Sequence, residues 1–193
     1  MPRVKLFDER EVLEKAMHLF WEKGYHATSI SDLKEQLGIN RSSLYDTYGD
    51  KEQLFLKTIE HYHSTNKRFI WQFLESKENV KEGIRAMFKK TIVQSSANKK
   101  RKGCFVVNAA AELLPENSHI KALVEQNRVD FEKIFFDYLQ AGVEKGQIAK
   151  DKDLKAIATL LFTLNNGLQV VTKVEVKEQE LLASVDALLT LLD

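Results

Sequence analysis

The chain has 193 residues, 44% hydrophobic and 30% charged, with a net charge of +1, a composition that buries a core and is not that of a disordered chain. Eight Gly and two Pro exclude collagen-like and linker-rich chains, and one Cys excludes an internal disulfide framework or a cysteine-based zinc finger. No apolar run approaches the ~18–20 residues of a membrane span, and the start, Met1-Pro2-Arg3-Val4-Lys5, has no signal-peptide core, so no membrane partner and a cytoplasmic location are expected.

Period-3.6 patterns recur along the whole chain and no alternating strand is legible, so the expected class is all-α with about nine helices. Asp8 with Glu11 reads as a capping box. It opens a helix whose stripe is Leu13, Ala16, Met17, Phe20 and Trp21, closed at Gly24. Ser29 caps a second helix, with Asp32 at its third position, Ile30, Leu33 and Leu37 inside and Gly38 at its end. Asn40 caps a short third helix from Arg41 to Thr47, and Asp50 with Gln53 opens a long fourth through Leu54, Phe55, Ile59 and Tyr62.

Five more helices follow: Val80 to about Ser95, Cys104 to Leu114 with Pro115 after it, Ser118 to about Lys145, Asp153 to about Lys173, and Glu178 to Leu192. The last two carry long apolar stripes. Leu154, Ile157, Leu161, Leu164 and Leu168 on one, with Leu181, Val185, Leu188 and Leu192 on the other, are expected to pair across a homodimer as a four-helix bundle. Gly167 would allow close approach. The competing reading is that both stripes pack inside one subunit.

Ser29 to Tyr48 has the helix, Gly-containing turn and helix of a helix-turn-helix. Gly38 supplies the positive φ that the turn needs. The second helix then offers Arg41, Ser42, Ser43, Tyr45, Asp46 and Thr47, short hydrogen-bonding groups and one Arg, suited to base edges and phosphates. Bulk charge does not advertise this. Residues 1–60 carry net −2, residues 61–102 net +8 and residues 103–193 net −5. The run Lys99-Lys100-Arg101-Lys102 reads either as a basic patch or as a solvated loop.

Phe20, Gly24-Tyr25, Thr28-Ser29-Ile30, Leu37-Gly38-Ile39, Ser43-Leu44-Tyr45 and Tyr48-Gly49-Asp50-Lys51-Glu52-Gln53-Leu54 together resemble the TetR/AcrR family of bacterial transcriptional regulators. Lys102-Gly103-Cys104-Phe105 through Asn108-Ala109-Ala110-Ala111-Glu112-Leu113 resembles one subgroup of it. The resemblance implies an N-terminal three-helix helix-turn-helix DNA-binding domain, residues 6–66 with its motif at about 29–48, joined to a C-terminal helical effector-binding and dimerisation domain, residues 67–193. It implies a homodimer that binds double-stranded, pseudo-palindromic operator DNA as a repressor and releases it on binding a small-molecule effector. Carried over by position, Ser29 and Ser31 lie near the backbone, Arg41, Ser42 and Ser43 enter the major groove with Thr47 on the same face, and Tyr45 and Lys51 reach phosphates. Two positions depart from the pattern. Lys34 stands where a small residue is usual, and Tyr48 where Phe is usual, its hydroxyl expected at water or phosphate.

Cys104 has two readings, a small core residue or a thiolate activated by the helix N-terminus and the basic run. The second would make the chain a redox or electrophile sensor on the same scaffold. Asn108 and Glu112 share a side with Cys104 and are expected either to line an effector pocket or to be packing groups. Trp71, Phe88, Phe105, Phe131 and Tyr138 are candidate pocket aromatics or core. No cofactor and no metal site is expected. His61 and His63 do not share a helix face, no His-x-x-x-His occurs, and there is no phosphate loop or nucleophile elbow. An enzyme is therefore not expected, and a helical adaptor that does not bind DNA is the other alternative.

Overall fold

The structure is a computed structural model that describes residues 7–97, 101–114 and 117–193; Lys99 and Lys100 of the basic run, and Pro115, lie outside them. The described residues form helices α1 (Glu9–Lys23), α2 (Ile30–Leu37), α3 (Arg41–Tyr48), α4 (Lys51–Glu75), α5 (Val80–Ala97), α6 (Phe105–Leu113), α7 (Ser118–Glu144), α8 (Leu154–Val171) and α9 (Glu178–Leu189), and no strand. A short 3₁₀ turn, Thr190–Leu192, ends the chain.

The local signals act where they are expected. Asp8 accepts from the backbone N–H of Arg10 and Glu11, Ser29 and Asp32 complete a capping box, Asn40 accepts from Ser43 N–H and Asp50 from Gln53 N–H. Gly38 closes α2 with φ 67°. Each cap satisfies amides that a helix start leaves unpaired, and so fixes where the helix begins.

Two apolar clusters form. The head cluster joins Phe20, Leu33, Leu44, Leu54 and Phe55 from α1–α4 to Phe105, Val106, Ala109 and Leu113 from α6 and Ile120 from α7. The body cluster joins the far half of α4 to α5, α7, α8 and α9 through Leu74, Ile84, Phe88, Phe135, Leu161 and Val185. α4 runs through both, and α6 crosses back to the head. Gly83 lets α7 approach α5, because a Cβ there would collide with the Tyr138 hydroxyl. Gln147 binds the first turn of α5 from outside, accepting from Val80 N–H at 2.9 Å and donating to Glu78 C=O at 2.9 Å.

Three expectations are corrected or narrowed here. The α8 and α9 stripes do not wait for a second subunit. Leu154, Ile157, Leu161, Leu168, Val185, Leu188 and Leu192 are buried within the chain, and Leu164 and Leu181 pack against the same core. Phe88, Phe105, Phe131 and Tyr138 take the core alternative, while Trp71 packs half-buried on the body cluster. α8, with 18 residues and mean hydropathy 1.2, is long and apolar enough to cross a membrane by length and composition, where the sequence pattern alone suggests no such run. Its buried side, Leu154, Ile157, Ala158, Leu161, Asn165 and Leu168, faces the bundle.

Leu161 has no exposed surface. Leu161→Ala is expected to cost about 2–5 kcal/mol of stability, read as a lower urea midpoint at unchanged slope.

Candidate DNA interface and effector cavity

α3 presents its polar face outward. Arg41, Ser42 and Asp46 are exposed, Ser43, Tyr45 and Thr47 half-buried, and Leu44 anchors the helix from beneath. The Arg41 guanidinium lies 5.3 Å from the Tyr45 ring centroid, and the Ser42 hydroxyl donates to Asp46 at 3.2 Å. The face is thus partly ordered before any ligand arrives. Ser29 and Ser31 are exposed at the first turn of α2, and Lys34 is exposed, its stem directed away from the small core. Lys23 donates to Asp32 at 2.8 Å, and that contact with the Ser29 hydrogen bonds holds the Asp32 carboxyl well below the usual carboxylate range.

Tyr48 departs from expectation. It is buried in the head core and its hydroxyl donates to the Glu9 carbonyl at 2.8 Å. Burial first, then Glu9 and Asp8, push its pKa up to about 12. The extra oxygen relative to Phe is used inside the protein, tying α3 to the start of α1, and not at water or a phosphate. Lys51, at the first turn of α4, lies 4.3 Å from the Tyr25 ring centroid. Burial lowers its pKa, against the pull of Glu112 and Asp32.

Glu112 is engaged by backbone amides of the head. Its carboxylate accepts from Tyr25 N–H at 2.9 Å and His26 N–H at 2.7 Å, in the turn between α1 and α2. Gly24 has φ 85°, a conformation that favours glycine, and a Cβ there would stand 2.9 Å from the same carboxylate. The other end of α6 is held as firmly. The Trp21 indole donates to Gly103 C=O at 3.1 Å, and the Asn108 amide donates to Lys102 C=O at 2.8 Å while accepting from Lys173. A Cβ on Gly103 would meet Gln169 C=O and the Lys173 side chain at 2.7 Å. Loop 101–104 is therefore wedged between α1 and the end of α8.

Beside that loop is a half-enclosed cavity of about 390 Å³, within the ~300–1,000 Å³ of small-molecule sites. Trp21 contributes from α1, Tyr62, Asn66, Phe69, Ile70 and Phe73 from α4, Met87, Lys90, Thr91, Gln94 and Ser95 from α5, Lys102, Gly103 and Cys104 from the loop, and Asn165 and Gln169 from α8. Of the effector residues expected from sequence, Cys104 alone lines it. Tyr62, Asn66, Phe69 and Phe73 recur at i, i+4, i+7 and i+11, a second face of α4 beside the core stripe, and that periodicity is the signal in the sequence that points to them. Burial pushes the Cys104 thiol up, outweighing the amides of Val107 and Val106 that favour the thiolate. The helix N-terminus favours the thiolate as expected and burial opposes it, while Lys99 and Lys100 of the basic run lie outside the described residues. Among the described residues no cluster of His, Cys, Asp or Glu is arranged to hold a metal ion.

Glu112→Ala is expected to expose the Tyr25 and His26 amides to faster hydrogen exchange while the bulk of α1 and α4 stays protected. Exchange rates at those two amides unchanged from wild type would place the hold on the turn elsewhere.

The chain is similar to known proteins over nearly its whole length. The family model for "Bacterial regulatory proteins, tetR family" matches residues 12–58, and that for "Tetracyclin repressor-like, C-terminal domain" matches residues 81–188. An uncharacterized HTH-type transcriptional regulator of Bacillus subtilis (strain 168), YezE, is 34% identical over the full length of both chains. The HTH-type transcriptional repressor ComR of Escherichia coli (strain K12) is 28% identical over 87% of this chain and 80% of its own. A cysteine mutant of the TetR family regulator CifR, solved with 26 bp double-strand operator DNA, superposes with TM-score 0.85 at 30% identity, covering 97% of this chain and 98% of that one. With a bihelical reading motif on an all-helical body matched at both ends, this chain belongs to the TetR family and is a DNA-binding transcriptional regulator.

Proposed function

We propose that the protein is a ligand-responsive repressor that binds a pseudo-palindromic operator as a homodimer and releases it when a small molecule fills the cavity at loop 101–104. The observation that carries the reading is the likeness to a regulator solved on its operator, together with the exposed α3 face. Residues 6–66 are the DNA-binding unit and 67–193 the effector and dimerisation unit, working in the cytoplasm where operator DNA lies. Arg41, Ser42, Ser43 and Thr47 read the major groove, and Tyr45, Lys51 and the serines 29 and 31 position the helix on phosphates. The α4 N-terminus adds its own favourable field for an anion.

The dimer contact is the outward face of α8. Ala156, Thr159, Leu160, Thr163, Gly167, Val170 and Val171 are exposed and fall on one side of the helix. Leu160 keeps 42% of its surface and Val170 50%, more than a lone subunit gains from leaving wet. Small residues dominate the stripe, and nothing lies within 4 Å of where a Gly167 Cβ would be. The exposed face of α9, Ala183, Ser184 and Ala187, with Leu191 of the 3₁₀ turn after it, adds a second strip of the same kind. Two such helices from each subunit make a four-helix bundle.

Release follows by linkage. Trp21 of the head lines the cavity, and α6 joins the cavity loop to the turn before α2. A ligand that favours one placement of α6 and an operator that favours another weaken each other by the same factor.

DNA reading and assembly are separable by substitution. Arg41→Ala costs about 1–3 kcal/mol per half-site and relaxes preference at one base position, whereas Lys51→Ala weakens all sequences and flattens the salt slope by about 0.9 for each phosphate left unneutralised. Fluorescence anisotropy on a selected operator at several salt concentrations measures both; wild-type binding by both variants places the DNA contacts on other residues. Leu160→Glu with Gly167→Arg gives a folded monomer by sedimentation. Persistence of the dimer places the contact on another face.

A further inference from the structure

The cavity has a charge as well as a shape. Two lysines, Lys90 and Lys102, line it, and no carboxylate does among the described residues. Its weak acids do not offset them, because burial pushes both the Tyr62 phenol and the Cys104 thiol up and keeps them neutral. Lys90 Nζ has no carboxylate within ion-pair distance among the described residues. It lies 4.3 Å from the Phe69 ring centroid and 5.1 Å from that of Phe73. Lys102 Nζ lies 5.6 Å from the Trp21 ring centroid and 3.5 Å from a carboxylate oxygen of Glu22. Each ammonium thus rests on an aromatic face, half out of water, with hydrogen-bonding protons to spare.

Resting on the reading of this cavity as the effector site, we propose that its ligand is a small organic acid, one anionic head taken by Lys90 and Lys102 on a flat apolar body laid among Phe69, Phe73 and Trp21. A carboxylate supplies the counter-charge that Lys90 lacks, through charge-assisted hydrogen bonds, which are the strong ones. A neutral molecule of the same shape leaves the ammonium unpaired, and a cationic one meets two like charges in a partly desolvated space. The acid also competes with Glu22 for Lys102. Lys102 immediately precedes Gly103, whose carbonyl holds the Trp21 indole. Ligand charge is therefore read at the loop that pins α6 to the head.

The test uses three probes of one shape, 2-naphthoate, 2-naphthamide and 2-naphthylmethylamine, titrated calorimetrically into the full chain without DNA. Naphthoate is expected to bind about tenfold tighter than the amide, or about 1.4 kcal/mol, with the amine weakest. Lys90→Gln and Lys102→Gln are each expected to remove most of that preference while amide affinity stays within about twofold, which also reports that the variants fold. Equal or tighter binding of the amide or the amine overturns the proposal. So does a preference that survives both substitutions, or binding by none of the probes. Operator release is measured separately by anisotropy. Charge-selective binding without release leaves the ligand class standing and removes ligand-driven release instead.

Discussion

The head does not close its own core: helices α6 and α7 complete it, and most of the structure follows from that packing. Helices α1–α3 and the first turns of α4 span about fifty residues, a size that buries too little of its surface to stand comfortably alone. The missing wall is α6, which inserts Phe105, Val106 and Ala109 beneath Phe20 and Phe55. Phe105 meets Phe55 edge-on at 5.6 Å and Tyr62 at 5.8 Å, a geometry favoured by the ring quadrupoles. Because α6 belongs to the head by packing and to the body by sequence, the loop before it must start in the body. That loop is 101–104, and it forms one wall of the cavity.

The charges around α6 sort by the same logic. Lys51, the Tyr25 ring and Glu112 meet at the turn between α1 and α2, and each is only partly withdrawn from water. Ion pairs at such exposure contribute little to stability. Their value is positional: Glu112 fixes two backbone amides just before the Ser29 cap, and so fixes where α2 starts. Residues 1–60 carry net −2, so on the proposed function DNA affinity rests on a few placed cations rather than on a diffuse basic surface.

The sequence makes the helix starts legible because a cap is a contract between residues three apart. Asp8, Ser29, Asn40 and Asp50 act where their spacing puts them. It makes the stripes legible but not their partners. Leu161 and Leu188 are equally apolar whether they face a neighbouring helix or a second subunit, and periodicity gives azimuth, not address. The free face of α8 is faint in the sequence because Ala156, Thr159, Thr163 and Gly167 weigh little on any hydropathy scale. Helical spacing puts Glu112 on one side with Cys104 and Asn108, yet that helix twists past two different neighbours within nine residues. For Cys104 the sign of the pKa shift turns on burial, which the helix-start argument alone cannot supply.

On the proposed function, the path from the cavity to the helix-turn-helix is short. α6 has nine residues, so it spans about 13–14 Å at 1.5 Å per residue. Its leading loop bends through φ 66° at Gly103, which glycine adopts freely, and φ 40° at Arg101, a conformation that a side-chain-bearing residue keeps only while its surroundings hold it. Around the loop lie the Trp21 indole, the Asn108 amide and the end of α8. A ligand that draws Lys102 away from Glu22 acts one residue from the Gly103 carbonyl. The helix that follows is packed on an apolar core and moves as a body, because close-packed interiors shift between discrete arrangements and do not stretch. Its far end holds Tyr25 and His26, so the proposed path from the cavity to the start of α2 runs through packed and hydrogen-bonded residues. On the proposed function, the size of the response is set by how differently the ligand binds the operator-bound and released forms.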